Sequence, residues 1–313
     1  MSQPESIRRH TDAQTLLFIT LLSVFCAVVL SVMASALAEP QEDARVLYRS
    51  KQMLIAAKLL DSVHGCFLLP GDKEGVYVPA KMNADGYLEK GAFADAATNS
   101  EILSLYRRRI VPMLIDKENK LVTFEKAGID LQAYLEKNRK TGYYRGDYRL
   151  IYEVMPEKVE KDKEADPVAY VIPVNGFGLW DAIYGFLALE PDGDTVIGIT
   201  WYDQKETPGL GANIADFSWQ EQFAGKKIFQ PNPDGKTNFS SAPIGINVVR
   251  GKVSEVIGSV PKAESAVDGM AGATLTGNGV TQAYHDVLVA YREFLVDLNK
   301  NNSKESNKGG GAQ

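Results

Sequence analysis

Three patterns of apolar and polar positions organise the chain. Residues 13–38 carry no charged side chain, and Leu16–Met33 is apolar almost without a break. About twenty such residues suffice to cross a bilayer as a helix, so a transmembrane helix is predicted over 13–38, with the lipid bilayer as a partner. Arg8 and Arg9 precede this span, while Glu39, Glu42 and Asp43 follow it. That asymmetry places the N-terminus in the cytoplasm and the main domain outside that membrane, which is the periplasm where the membrane is a bacterial inner one. The competing reading is a signal peptide cleaved after Ala36-Leu-Ala38, but the apolar stretch is longer than the usual core of one.

The second pattern is strand-like. Apolar runs Ile183–Leu189 and Val196–Tyr202 flank Asp192-Gly193, a hairpin signal. Ile183, Leu187 and Leu189 share one parity, and Tyr184, Phe186 and Ala188 the other. Both faces are apolar, as expected of a central strand covered on each side. Glu118–Ile129 and Tyr143–Ile151 are β-like, separated by a helix-leaning Leu131–Lys140.

The third pattern is helical. Val280, Tyr284, Val287, Leu288, Tyr291, Phe294, Leu295 and Leu298 recur at spacings of three and four, which predicts an amphipathic helix of four to five turns. Ala44–Leu60 reads as another helix, continuing from the membrane span. The fold class is therefore α+β: an N-terminal transmembrane helix, then an exported domain with an antiparallel sheet and a C-terminal helix. The expected divisions are 1–12 (cytoplasmic), 13–38 (span), 39–166 (membrane-proximal elaboration, with a solvated charge run at Glu157–Asp166), 167–298 (ligand-binding domain) and 299–313 (mobile polar tail).

Charge and rare residues narrow the function. The net charge is −6 over 313 residues, which argues against a nucleic-acid partner. Cys26 lies in the span and Cys66 has no partner for an intrachain disulfide; His10, His64 and His285 are far apart. No metal site is expected. There is no Gly-x-Ser-x-Gly elbow, Walker loop or dinucleotide fingerprint, and no catalytic residue is assigned.

The candidate chemistry lies in Asp268-Gly-Met-Ala-Gly-Ala-Thr274-Leu-Thr276-Gly-Asn-Gly-Val280, immediately before the predicted helix. A hydroxyl beside a helix N-terminus is well placed to hold a phosphate, because the first N–H groups lack intrahelical partners and the dipole favours negative charge. The plainer alternative is a glycine-rich turn in which Thr276 caps the helix. Upstream, Glu206-Thr-Pro-Gly-Leu-Gly211 combines one fixed φ with two permissive glycines. Such a loop brings backbone close to a flat ligand, or makes an ordinary Pro-Gly turn.

The 268–276 segment resembles the flavinylation motif of the FMN-binding subunits in sodium-translocating NADH:quinone oxidoreductase and the related RNF complex. Asp268, Gly272, Ala273 and Thr274 match that motif, and Ala271 stands where those proteins carry Ser or Thr. Upstream, Gly178-Leu-Trp180, Glu206–Gly211 and Gly225-Lys-Lys227 follow in the order found in the NqrC subunit of that reductase. The resemblance covers residues 170–295 and the single span.

It implies an electron-carrying subunit of a membrane NADH:quinone reductase, not catalytic alone, partnered by the other subunits. FMN would be covalent, held by a phosphoester on Thr274 that a separate flavin transferase makes from FAD. Leu179, Trp180, Glu206, Thr207, Pro208, Gly209, Leu210 and Gly211 would border the ring or ribityl chain, although Trp180 also reads as a core residue. Asp268, Gly272 and Ala273 would shape the attachment turn, with Leu275 and Thr276 beside it. Three alternatives are an RNF-type subunit, a stand-alone exported flavoprotein, and a non-redox envelope module whose flavin site has degenerated at Ala271.

Overall fold

The structure is a computed structural model that describes residues 12–73, 75–158 and 165–309. Arg8 and Arg9, and part of the expected charge run, lie outside the described residues. The chain divides into two compact units, one ending at Tyr48 and the other beginning at Arg49.

The first unit is the body of helix α1 (Asp12–Ala56), which is long and apolar enough to cross a membrane. Every residue from 13 to 46 is exposed within the structure. Proline removes one helical N–H and crowds the preceding turn, yet α1 continues through Pro40. The predicted span and most of the predicted Ala44–Leu60 helix are thus parts of one element, which ends at Ala56, four residues short of the expected limit.

In the second unit, the end of α1 leads to a small antiparallel sheet of β1 (Phe67–Pro70), β2 (Tyr77–Met82) and β3 (Leu88–Lys90). Helix α2 (Asn99–Arg109) follows. It starts at a capping box, with Thr98 accepting from the Glu101 amide and Glu101 from the Thr98 amide. Next come β4 (Ile110–Ile115), β5 (Leu121–Val122) and the short helices α3 (Phe124–Ala127) and α4 (Leu131–Asn138). Then β6 (Arg149–Val154), β7 (Ala169–Phe177), β8 (Ala182–Leu189) and β9 (Val196–Asp203) complete a six-stranded antiparallel sheet, ordered β5-β4-β6-β7-β8-β9. The rest comprises α5 (Phe217–Gln220), β10 (Asn247–Val248), α6 (Val253–Val256), β11 (Ala266–Val267) and α7 (Thr274–Gly309).

The β8–β9 hairpin forms as the pattern predicts, and both strand faces are covered. Ile183, Leu187 and Leu189 join Ile172, Val174, Ile199 and Trp201 against Val280, Tyr284, Val287, Leu288 and Tyr291 of α7. The opposite face meets the end of α1, where the Thr200 hydroxyl donates to the Gln52 carbonyl at 3.3 Å. Where β7 ends, α7 comes so close that a Cβ on Gly279 would lie 2.1 Å from the Phe177 carbonyl oxygen.

Three sequence expectations are corrected. The β-like run 118–129 holds only the two residues of β5 before turning into α3, because Thr123 accepts from the Lys126 amide and caps that helix. The run 143–151 becomes strand only at Arg149. The polar stretch after Leu298 continues α7 to Gly309. It is tied at its start by Asn299, whose side-chain amide donates to the Asp192 carbonyl at 3.2 Å.

Candidate functional site

Three segments distant in sequence meet at the N-terminus of α7. They are the turn after β7 (178–181), the loop after β9 (206–211) and the turn 268–273. Glu206 joins two of them to the helix itself. Its carboxylate accepts from the amides of Leu179 at 3.0 Å and Trp180 at 2.9 Å, and from the Thr276 hydroxyl at 2.5 Å. Glycines make room for it. A Cβ on Gly178 would lie 2.4 Å from Glu206 Oε1, and one on Gly211 would lie 2.4 Å from Thr276 Oγ1.

Glu206 is only 5 % exposed. Burial alone would raise its pKa, but the Thr276 hydroxyl and the amides of Trp180 and Leu179 outweigh that and hold it below the ordinary carboxylate range. Thr276 is the third residue of α7, not its cap, and is 1 % exposed with its hydroxyl committed to Glu206. The reading of Thr276 as a helix cap is therefore corrected. Thr274, the first residue of α7, is exposed, and no side chain among the described residues bonds to its hydroxyl.

A cavity of about 200 Å³ opens beside Thr274. Leu179, Trp180, Glu206, Thr207, Leu210 and Gly211 form one side of it, and Gly272, Ala273, Leu275 and Thr276 the other. The structure thus gathers most of the sequence-expected site residues around one space. Trp180 is not in the core, as its alternative reading held. It is 69 % exposed, and its indole N–H donates to the Thr207 hydroxyl at 3.1 Å. With Phe177, Leu179, Leu210 and Leu275, also exposed, it gives this end of the domain an apolar surface of the kind that marks binding sites.

Gly209 and Asp268 do not line this cavity. Gly209 turns the loop with a φ of 75°, a left-handed value that suits glycine. Asp268 staples the 268–273 turn from behind. Its carboxylate accepts from the Val253 amide at 2.7 Å, its amide donates to the Gln222 side chain at 3.0 Å, and its carbonyl accepts from the Trp219 indole at 2.9 Å.

Behind the turn lies a second cavity of about 560 Å³, which also borders Thr274. Arg250, Lys252 and Glu255 line it, as does Ala271. Ala271 is exposed, so the missing hydroxyl leaves no buried gap. Sequence reasoning missed Arg250 and Lys252, which belong to no motif. The Gly225-Lys-Lys227 segment lies away from both cavities. The Lys227 ammonium sits 3.6 Å from Asp192 and 4.0 Å from Asp194, clipping the β8–β9 turn.

A flavin nucleotide suits these residues. The apolar walls of the first cavity match a flat aromatic ring, and the exposed Thr274 hydroxyl lies among helix-start N–H groups that lack intrahelical partners. Residues 178–289 match the FMN-binding domain family. The NqrC subunit of the Na(+)-translocating NADH-quinone reductase from Chlamydia caviae is 41% identical over 303 residues, covering 93% of this chain and 94% of that protein. Its namesake in Chlamydia pneumoniae is 39% identical over 313 residues, covering 95% of each. A crystal structure of the same reductase component from Parabacteroides distasonis shares the fold, with a TM-score of 0.50 at 20% identity, covering 83% of this chain and 96% of that one.

Proposed function

The chain belongs to the NqrC family of the Na(+)-translocating NADH-quinone reductases, and from that premise we propose that it carries FMN covalently, as a phosphoester on Thr274 Oγ1, within such a complex. The observation that carries this reading is the placement of Thr274. It is an exposed hydroxyl at the first residue of α7, facing a cavity built from the Leu179-Trp180 turn and the 206–211 loop. Thr276, the other candidate acceptor, is buried and already bonded.

FMN, when bound, supplies the electron-carrying chemistry; the chain's residues position it. Trp180, Leu179, Leu210 and Leu275 offer apolar contacts to the ring. The 268–273 turn, held by Val253, Gln222 and Trp219, fixes the attachment point. No carboxylate or imidazole among the described residues bonds to the Thr274 hydroxyl, which supports attachment by a separate flavin transferase that brings its own base. The remaining assignments are a single-pass anchor in the bacterial inner membrane, a cytoplasmic N-terminus, a periplasmic main domain and neighbouring redox subunits. They rest on the apolar helix, the flanking charges and the family.

The test is in-gel flavin fluorescence with peptide mass mapping, on chain co-expressed with a flavin transferase. Wild type should fluoresce and carry FMN on the Thr274 peptide, and Thr274→Ala should be dark. Thr276→Ala should keep flavin on Thr274, although in a loosened cavity. Flavin retained by Thr274→Ala overturns the assignment.

A further inference from the structure

Glu206 is a buried carboxylate that makes no ion pair among the described residues. Its hydrogen bonds come from the backbone amides of Leu179 and Trp180 and from the Thr276 hydroxyl, and these uncharged donors, with the Asp181 amide, are the main influences that hold it ionised. Tying the two segments to the helix needs only an acceptor, and a neutral one would avoid the desolvation cost of burying a charge. The charge itself therefore calls for a role, and it lines the same cavity as Thr274.

We propose that the Glu206 carboxylate sets the reduction potential of the flavin held at Thr274, keeping it lower than a neutral residue would. This rests on the Thr274 reading above. Each electron taken up by a flavin ring adds one negative charge until a proton follows. A fixed negative charge in a partly desolvated pocket opposes that uptake. The Thr276 hydroxyl and the two amides hold the carboxylate in place, so the charge stays put as the ring changes state. Glu206 is then a positioning and potential-setting residue, distinct from the groups that contact the ring.

The experiment is a potentiometric titration of the full-length, flavin-loaded chain in detergent, followed by flavin absorbance, for wild type, Glu206→Gln and Thr276→Val. The midpoint should move to a more positive potential in Glu206→Gln. In Thr276→Val, which keeps the charge and loses one bond, it should move much less. Equal midpoints in wild type and Glu206→Gln overturn the proposal, as does an equal shift in both variants, which would mark a purely structural effect. If wild type itself carries no flavin on the Thr274 peptide, the underlying reading has failed instead. If Glu206→Gln does not load, redox-difference infrared spectra of wild type and Glu206→Asp decide the matter. A carboxylate stretch that shifts on reduction, and changes frequency in the Asp variant, supports the proposal; no carboxylate signal overturns it.

Discussion

The hydroxyl of Thr276 donates to Glu206 Oε2 at 2.5 Å across seventy residues of sequence. This bond makes the start of α7 and the loop after β9 a single structural unit. Removing the donor leaves a buried carboxylate short of a partner, an asymmetric loss that costs about 1–3 kcal/mol, more for a charged group. Thr276→Val should lower stability by about that amount in urea unfolding. Thr276→Ser, which keeps the hydroxyl, should restore most of it.

The crossing of β7 and α7 makes a second, purely steric prediction. Because a Cβ on Gly279 would meet the Phe177 carbonyl oxygen at 2.1 Å, Gly279→Ala should destabilise the fold by about 1–3 kcal/mol through overpacking. Its neighbour Asn278 is exposed on the same helix, and Asn278→Ala should stay within about 0.5 kcal/mol of wild type. Thermal melts of the two variants side by side check this.

Asp194 gives a pH dependence. Burial pushes its carboxyl from 3.8 up to about 6, against the opposing pull of the Phe229 amide and Lys227. Between those values the folded chain holds a proton that the unfolded chain has lost. The group's contribution to stability is therefore full below about pH 4 and is lost as pH rises through 6. Asp194→Asn removes this loss, so between pH 5 and 7.5 its stability should fall less than that of wild type, by roughly 1.4 kcal/mol. Urea midpoints across that range measure it. Asp192 is shifted the other way, below its ordinary value, so it acts at lower pH and leaves this window clear.

Trp180 separates stability from cofactor contact. Its indole is mostly exposed and makes one hydrogen bond, to Thr207. Trp180→Ala should change stability by no more than about 0.5 kcal/mol. The absorbance band and fluorescence yield of the bound flavin should change clearly, because one apolar wall of its cavity is gone.

Much of this arrangement was legible in the sequence where a pattern carries its own geometry. The hairpin at Asp192-Gly193, the helical stripe from Val280 to Leu298, and the turn ending at Thr274 all fold where their residues point. Strand β7 was not legible. It is buried on both faces over most of its length, so it shows no alternation, and Pro173 interrupts it; the structure tolerates that proline because the pairing of β7 with β6 covers Ala169, Tyr170 and Val171 and ends before it. The extra turns of α7 were hidden because polar residues carry no apolar stripe to read. The hub at Glu206 was read only as a loop residue, since its partners at 179, 180 and 276 become neighbours only in three dimensions. Asp268 belonged to a recognised motif, but its bonds to Val253, Gln222 and Trp219 explain its presence better than any contact inside the cavity.

The convergence on Glu206 also orders events during the protein's biogenesis. The floor of the cavity is complete only when the helix beginning at Thr274 has emerged and docked, after nearly all of the domain has been synthesised. A nascent or truncated chain presents the threonine without the pocket. Any enzyme that reads the pocket's shape would therefore modify finished molecules and pass over incomplete ones, so that a chain loaded in this way would also be a proofread one.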